Sequence, residues 1–206
     1  MGRPLNVIII CNIGRYTHNI NDKYRYFCSK PVIYPQNTFK WATWGGHLEI
    51  VKLLLENPCV DPSDRENYAI RWAADYGHLE VVKLLLEDPR VDPSDNDNAA
   101  IRWAAESGHL EIVKLLLEDP RVDPSDRNNE AIKLAAEAGH LEIVNLLLND
   151  SRVDPSNGGN CVIRWAAWSG HLKVVKLLLN DSRVSNLVRF TKTPKLAYDY
   201  LIAQSK

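Results

Sequence analysis

The chain has 206 residues, 45% of them hydrophobic and 25% charged, so it can fill a core and is not disordered by composition. Its 25 basic and 26 acidic side chains leave a formal net charge of −1. That balance excludes a global field drawing the protein onto nucleic acid or an anionic membrane, so charge-based recognition must come from a local patch.

Residues 1–36 contain "LNVIIIC", an apolar run too short to span a bilayer and not followed by a small-residue cleavage site. "MGRPLN" places Asn6 where myristoylation uses Ser or Thr. Further on, "THNINDKYR" is polar where the later pattern requires an apolar helix, so 1–36 reads as an atypical N-terminal cap or a separate short module. The four cysteines, Cys11, Cys28, Cys59 and Cys161, follow no metal-ligand spacing and read as reduced thiols. A soluble, monomeric protein of the cytoplasm or nucleus is expected.

From residue 37 to 184 the chain repeats. Gly-His recurs with its histidine at His47, His78, His109, His140 and His171, each 31 residues after the last. A period without drift through five copies implies stacked units that each contact mainly their neighbours. Residues 98–128 illustrate one unit. "AAIRWAAES" predicts a short alanine-rich helix, and Gly108 supplies the positive φ that ends it. "LEIVKLLLE" predicts a second helix with one broad apolar face and with Glu111 and Lys114 toward water. Pro120 ends it, and "RVDPSDRN" is a loop of turn formers. After Val184 the pattern fades, but "TPKLAYDYLIAQSK" predicts a last helix from Pro194 that would cap the fifth unit, giving residues 185–206 the role of a C-terminal capping helix.

The string "A-I-R-W-A-A-x-x-G-H-L-E-V-V-K-L-L-L" resembles the ankyrin repeat, T-P-L-H-x-A-A-x-x-G-H-x-E-V-V-x-L-L-L, and "V-D-P-S" resembles its A-D-V-N. The resemblance implies an all-α solenoid of about five helix-turn-helix units with atypical ends. Three departures stand out. Each unit is two residues shorter than the usual 33, the deletion falling in the hairpin loop. Thr-Pro is replaced, as by Tyr68-Ala69 or Ala99-Ala100, and the motif histidine becomes Lys40, Arg71, Arg102, Lys133 or Arg164. This short variant resembles arrays of large DNA viruses of protists and of their hosts.

The cations of that ladder have two readings. By resemblance they bond carbonyls or loop carboxylates such as Asp64, Asp95 and Asp126, tying neighbouring loops together. Alternatively, with Trp41, Trp72, Trp103 and Trp165 beside them, they form a row for nucleotide or RNA binding. Leu134 takes the tryptophan place once, which suits an apolar core and not base stacking, so the tryptophans are expected in the core. The five histidines, a unit of roughly 10 Å apart, cannot share one metal ion, whose ligands lie at about 2 Å, and are expected to serve the turn. No nucleophile motif, phosphate loop or carboxylate pair suggests an enzyme, and no cofactor is expected.

Positions that vary between copies are free for function. The pair before each Gly-His varies most: Trp44-Gly45, Asp75-Tyr76, Glu106-Ser107, Glu137-Ala138 and Trp168-Ser169. In ankyrin repeats this pair faces the concave groove where partner proteins bind. The resemblance therefore implies a protein-interaction scaffold with Trp44, Asp75, Tyr76, Glu106, Ser107, Glu137, Trp168 and Ser169 as the candidate site. Three acids between two tryptophans suit a partner segment with a basic centre and apolar ends. At about 8–10 Å per unit and about 3.3 Å per residue, such a segment needs roughly ten to twelve residues. The loop tips Arg65-Glu66, Asn96-Asp97, Arg127-Asn128 and Gly158-Gly159 form a second variable set, each followed by an asparagine suited to left-handed backbone. A third reading, a substrate adaptor docking through residues 1–36, has no docking motif behind it.

Overall fold

The computed structural model describes residues 34–184; residues 1–33 of the N-terminal module and the C-terminal segment 185–206 with its expected capping helix lie outside the described residues. Among the described residues ten α-helices follow one another in five pairs: α1 (Pro35–Trp44) with α2 (Leu48–Leu55), α3 (Asp64–Asp75) with α4 (Leu79–Leu86), α5 (Asp95–Ser107) with α6 (Leu110–Glu118), α7 (Asp126–Ala138) with α8 (Leu141–Leu148), and α9 (Asn157–Trp168) with α10 (Leu172–Asn180). Among the described residues there is no strand.

The two helices of a unit are built for different packing. In α5, Ala99, Ala100, Ile101, Ala104 and Ala105 are buried. The alanines let adjacent first helices approach closely, and the isoleucine fills the space between them. In α6, Ile112, Val113 and Leu116 are buried, while Glu111 and Lys114 pair at 2.7 Å in solvent. First helices pack on the first helices of the units before and after; each second helix leans on its own first helix. The result is two layers around one continuous core, with Phe39, Ile70, Ile101, Ile132 and Ile163 fully buried along the first layer. Each buried isoleucine stabilises by about 1.5–3 kcal/mol.

The tryptophans are not in that core, contrary to expectation. Trp41 is 40% exposed, and Trp72, Trp103 and Trp165 are half-buried, as is Leu134. Their column lies at the edge of the helix face that carries Ile70 and Ala73, where an indole is too large to be enclosed between two alanine-rich helices.

The shortened loop is replaced by left-handed backbone. Arg65, Glu66 and Asn67 (φ 52, 58 and 53) precede the right-handed part of α3, and Asn96–Asn98 and Arg127–Asn129 repeat the turn. Such a conformation costs a non-glycine residue about 1–2 kcal/mol, so each turn has to be held by contacts elsewhere. The asparagine that closes it supplies them. Asn98 Oδ1 accepts the Asp123 N–H at 2.8 Å and its Nδ2 donates to Asp126 at 2.9 Å; Asn67 bonds Asp92 and Asp95 in the same way. The expected turn asparagine is therefore also a tie to the next unit. In the first unit, Gln36 takes the Asp61 N–H at 2.7 Å.

Two further ties were not expected. The Gly-His histidine reaches back one unit: His78, His109 and His140 lie within 2.8–2.9 Å of the carbonyls of Trp44, Asp75 and Glu106. Its ring sits on the preceding glycine, where a Cβ at Gly77 would come within 2.5 Å of His109. The invariance of Gly-His among the copies thus serves an inter-unit contact as well as the turn. The loop arginines Arg90, Arg121, Arg152 and Arg183 also donate backwards, to the carbonyls of Val60, Val91, Val122 and Val153 at 2.7–3.2 Å. Asp88, Asp119, Asp150 and Asp181 hold these guanidiniums through two oxygens.

Asn98→Ala removes two buried bonds and leaves the Asp123 N–H without its acceptor, so it should lower unfolding stability in urea by about 2–4 kcal/mol. Asn160 is equally buried, yet its Oδ1 has no partner among the described residues. Asn160→Ala should lose no more than about half as much; equal losses would contradict the tie. The arginine hydrogen bonds hold Asp88, Asp119, Asp150 and Asp181 below the usual carboxylate range. A carboxylate with a depressed native value stabilises the fold above its unfolded value, and the contribution fades as pH falls through the native one. The urea midpoint should therefore drop as pH falls below about 4, and less steeply in Asp119→Asn, which no longer titrates there.

Candidate functional site

The first-helix layer is covered on one side by the second helices. Its other side carries the residues before each Gly-His. Trp44, Asp75, Glu106, Glu137 and Trp168 occupy one column along it, and Tyr76, Ser107 and Ser169 stand beside them. The repeat register puts these eight sequence-selected residues at equivalent positions of successive units, and direct contacts join Trp44 to Tyr76 and Asp75 to Ser107.

At the N-terminal end the aromatic residues form a cluster. Trp44 meets Trp41, Trp72 and Tyr76 with ring centroids 5.5, 6.1 and 5.8 Å apart, and Tyr68 lies 4.0 Å from Trp72. Tyr76 remains 51% exposed. At the other end Trp168 is 80% exposed and stacks parallel to Trp165 at 5.4 Å. The sequence pattern pointed to Trp44, Tyr76 and Trp168; it placed Trp72 and Trp165 in the core, whereas they are half-buried, and it gave Tyr68 no part in the face.

Between the two ends lie Asp75, Glu106 and Glu137. Among the described residues none of the three forms an ion pair, and only Asp75 has a side-chain bond, from Ser107 Oγ at 2.8 Å. The second-helix layer differs: Glu49, Glu80 and Glu111 are each paired with a lysine three residues on. In α8 the lysine is replaced by Asn145, and Glu142 has no ion pair among the described residues.

The loop tips are tied to one another. Asn96 donates to Glu66, and Arg127 approaches Asp97 at 3.5 Å and Glu130 at 3.7 Å. Asn128 is exposed. Between these tips a wide depression of about 660 Å³ is lined by Asp92, Asp95, Asp123 and Asp126 among others. Among the described residues no group of three or more histidine, cysteine or acidic side chains has the geometry to hold a metal ion.

The cationic ladder is unequal. Arg71 and Arg102 are 7% and 5% exposed, and their guanidiniums chelate the turn carbonyls: Arg71 to Arg65, Arg102 to Asn96 and Asp97 at 2.8–3.0 Å. Arg102 also pairs with Glu130 at 2.7 Å, and Lys40 with Asp64 at 2.6 Å. Arg71 lies between the Tyr68 and Trp103 rings at 5.3 and 5.2 Å, and burial pulls its pKa down against the nearby carboxylates of Glu66 and Asp95. Arg71 and Arg102 hold their own left-handed turns through carbonyls five and six residues upstream. The expected tie to the neighbouring unit is made by Lys40, to Asp64, and by Arg102, to Glu130, and Asn98 and its equivalents add a second one. Arg164 breaks the pattern, donating to Cys161 Sγ at 3.0 Å.

A family model described as ankyrin repeats (3 copies) matches residues 39–128 and 101–187. The chain belongs to the ankyrin-repeat family. Among curated proteins none matches. Ankyrin repeats are generally protein–protein interaction modules and typically not enzymes. No helix among the described residues of this array is long and apolar enough to cross a membrane.

Proposed function

We propose that this ankyrin array binds a protein segment along the exposed face of its first-helix layer. Basic residues of the segment lie over Asp75, Glu106 and Glu137, and apolar residues engage the Trp44–Tyr76 cluster at one end and Trp168 at the other. The observation that carries this reading is the row of three unpaired carboxylates between large exposed rings. An exposed carboxylate without a counter-ion is available for charge-assisted bonds to Lys or Arg. Aromatic side chains at the ends supply the apolar area that dominates interface energetics.

The scaffold contributes rigidity. Asp75 and Glu106 have their backbone carbonyls bonded by His109 and His140. Each carboxylate is therefore presented from a fixed backbone, and little entropy is lost on binding. The array needs no chemistry of its own; it holds complementary groups at a set spacing.

The test is capture from a nuclease-treated cell lysate followed by affinity measurement on the captured protein. Trp168→Ala should weaken binding about tenfold or more while leaving the helical circular dichroism unchanged, because the ring is almost wholly exposed. The combined Asp75→Asn, Glu106→Gln and Glu137→Gln variant should weaken binding and flatten its salt dependence. Unaltered affinity in both folded variants would exclude this face.

A further inference from the structure

A pocket of about 250 Å³ opens between the first two repeats, lined by Asn37, Lys40 and Trp41 of α1 and Arg65, Tyr68 and Trp72 of α3. One wall is aromatic: the Tyr68 and Trp72 rings lie 4.0 Å apart at 49°. The other is polar and cationic, and its two cations differ. Lys40 is neutralised by Asp64 at 2.6 Å. Arg65 is exposed, and among the described residues its guanidinium makes no hydrogen bond or ion pair. Its backbone is nonetheless fixed, since φ is 52 and its carbonyl accepts the Arg71 guanidinium at 2.8 Å.

This pocket is peculiar to one place in the array. The column of Tyr68 holds Ala99, Glu130 and Cys161 in later repeats, and the column of Arg65 holds Asn96, Arg127 and Gly158. Asn96 is bonded to Glu66, and Arg127 faces Asp97 and Glu130. Only between the first two repeats does an aromatic wall meet a tip arginine whose guanidinium makes no ion pair among the described residues; the neighbouring Asp64 is bonded to Lys40, which together with Arg65 holds its carboxyl low.

We infer that this pocket takes the C-terminal residue of a bound protein segment, its large apolar side chain on the Tyr68 and Trp72 rings and its free carboxylate on Arg65. The volume decides the size of the occupant. It is below the range of about 300–1,000 Å³ usual for small-molecule sites, which favours a single residue over a nucleotide with base, ribose and phosphate. The two walls decide its chemistry. A chain end carries an apolar side chain and a carboxylate on a single Cα, whereas an internal acidic residue needs a second residue to cover the rings. Guanidinium matches carboxylate through two parallel hydrogen bonds. The pocket is opposite in charge to the row of Asp75, Glu106 and Glu137 and does not depend on it.

The experiment uses the full chain labelled with nitrogen-15 and follows the tryptophan indole signals during titration with N-acetyl-L-phenylalanine, its amide, and AMP. The acid should shift the Trp72 indole signal, assigned by its absence in Trp72→Phe, in a saturable way with a Kd of about millimolar. The amide should bind about fivefold more weakly or worse. Arg65→Gln and Tyr68→Ala should each weaken the acid by about the same factor. Tyr68→Ala introduces the residue that the third repeat carries at this position, so the fold accommodates it. Glu106→Gln should leave the titration unchanged, which separates this site from the carboxylate row. No saturable shift, equal binding of acid and amide, indifference to Arg65→Gln, or tighter binding of AMP would each overturn the assignment.

Discussion

The seam between consecutive units is the interaction on which the rest of this structure depends. The second helices have eight or nine residues, and helices that short do not persist alone in water. The array is held by burying Ile101 and its equivalents between adjacent first helices, and by three polar ties across each of the two seams that flank the third unit. The asparagine reaches forward to the next loop; the histidine and the loop arginine reach back. Each tie closes on a backbone group, so the contact survives variation of the neighbouring side chains.

Those ties also explain how three consecutive left-handed residues are tolerated in each loop. Arg71 and Arg102 chelate the carbonyls of the turn from inside the unit, while Asn67 and Asn98 anchor its last residue to the unit that follows. Removing two residues from the usual loop shortens the tip and turns it into a compact corner. Glu66, Asn96, Asp97 and Arg127 then lie close enough to bond one another. Apart from Arg65, these tips are drawn into the scaffold, and the binding surface we propose is the first-helix face.

On that face the chemistry is sorted by position. Glu49, Glu80 and Glu111 of the second helices have lysines three residues on and are neutralised within their own helix, whereas Glu142 has Asn145 there. Asp75, Glu106 and Glu137 end their helices next to the Gly-His turn, with no lysine in reach, and keep their charge. The aromatic residues gather at both ends of the row, where one repeat lacks a described neighbour and rings are not replaced by alanine. In the function proposed above, recognition is built from departures from the repeat, and stability from adherence to it.

Much of this was legible from the chain alone. The period of 31, the glycine that ends each first helix, the apolar face of "LEIVKLLL" and the asparagine at the left-handed corner are local properties, set by backbone conformation and by the helical repeat. They determined the fold class, the number of units and the candidate face. What lies across a seam was not legible. That Trp72 and Trp165 stand at the surface, that histidine and loop arginine reach back to the previous unit, and that Arg71 turns to its own loop depend on the distance and rotation between units. No residue encodes that rotation by itself: it emerges when alanine-rich helices pack as closely as their side chains permit, and only then is it decided which side chains are enclosed and which carbonyls lie within reach.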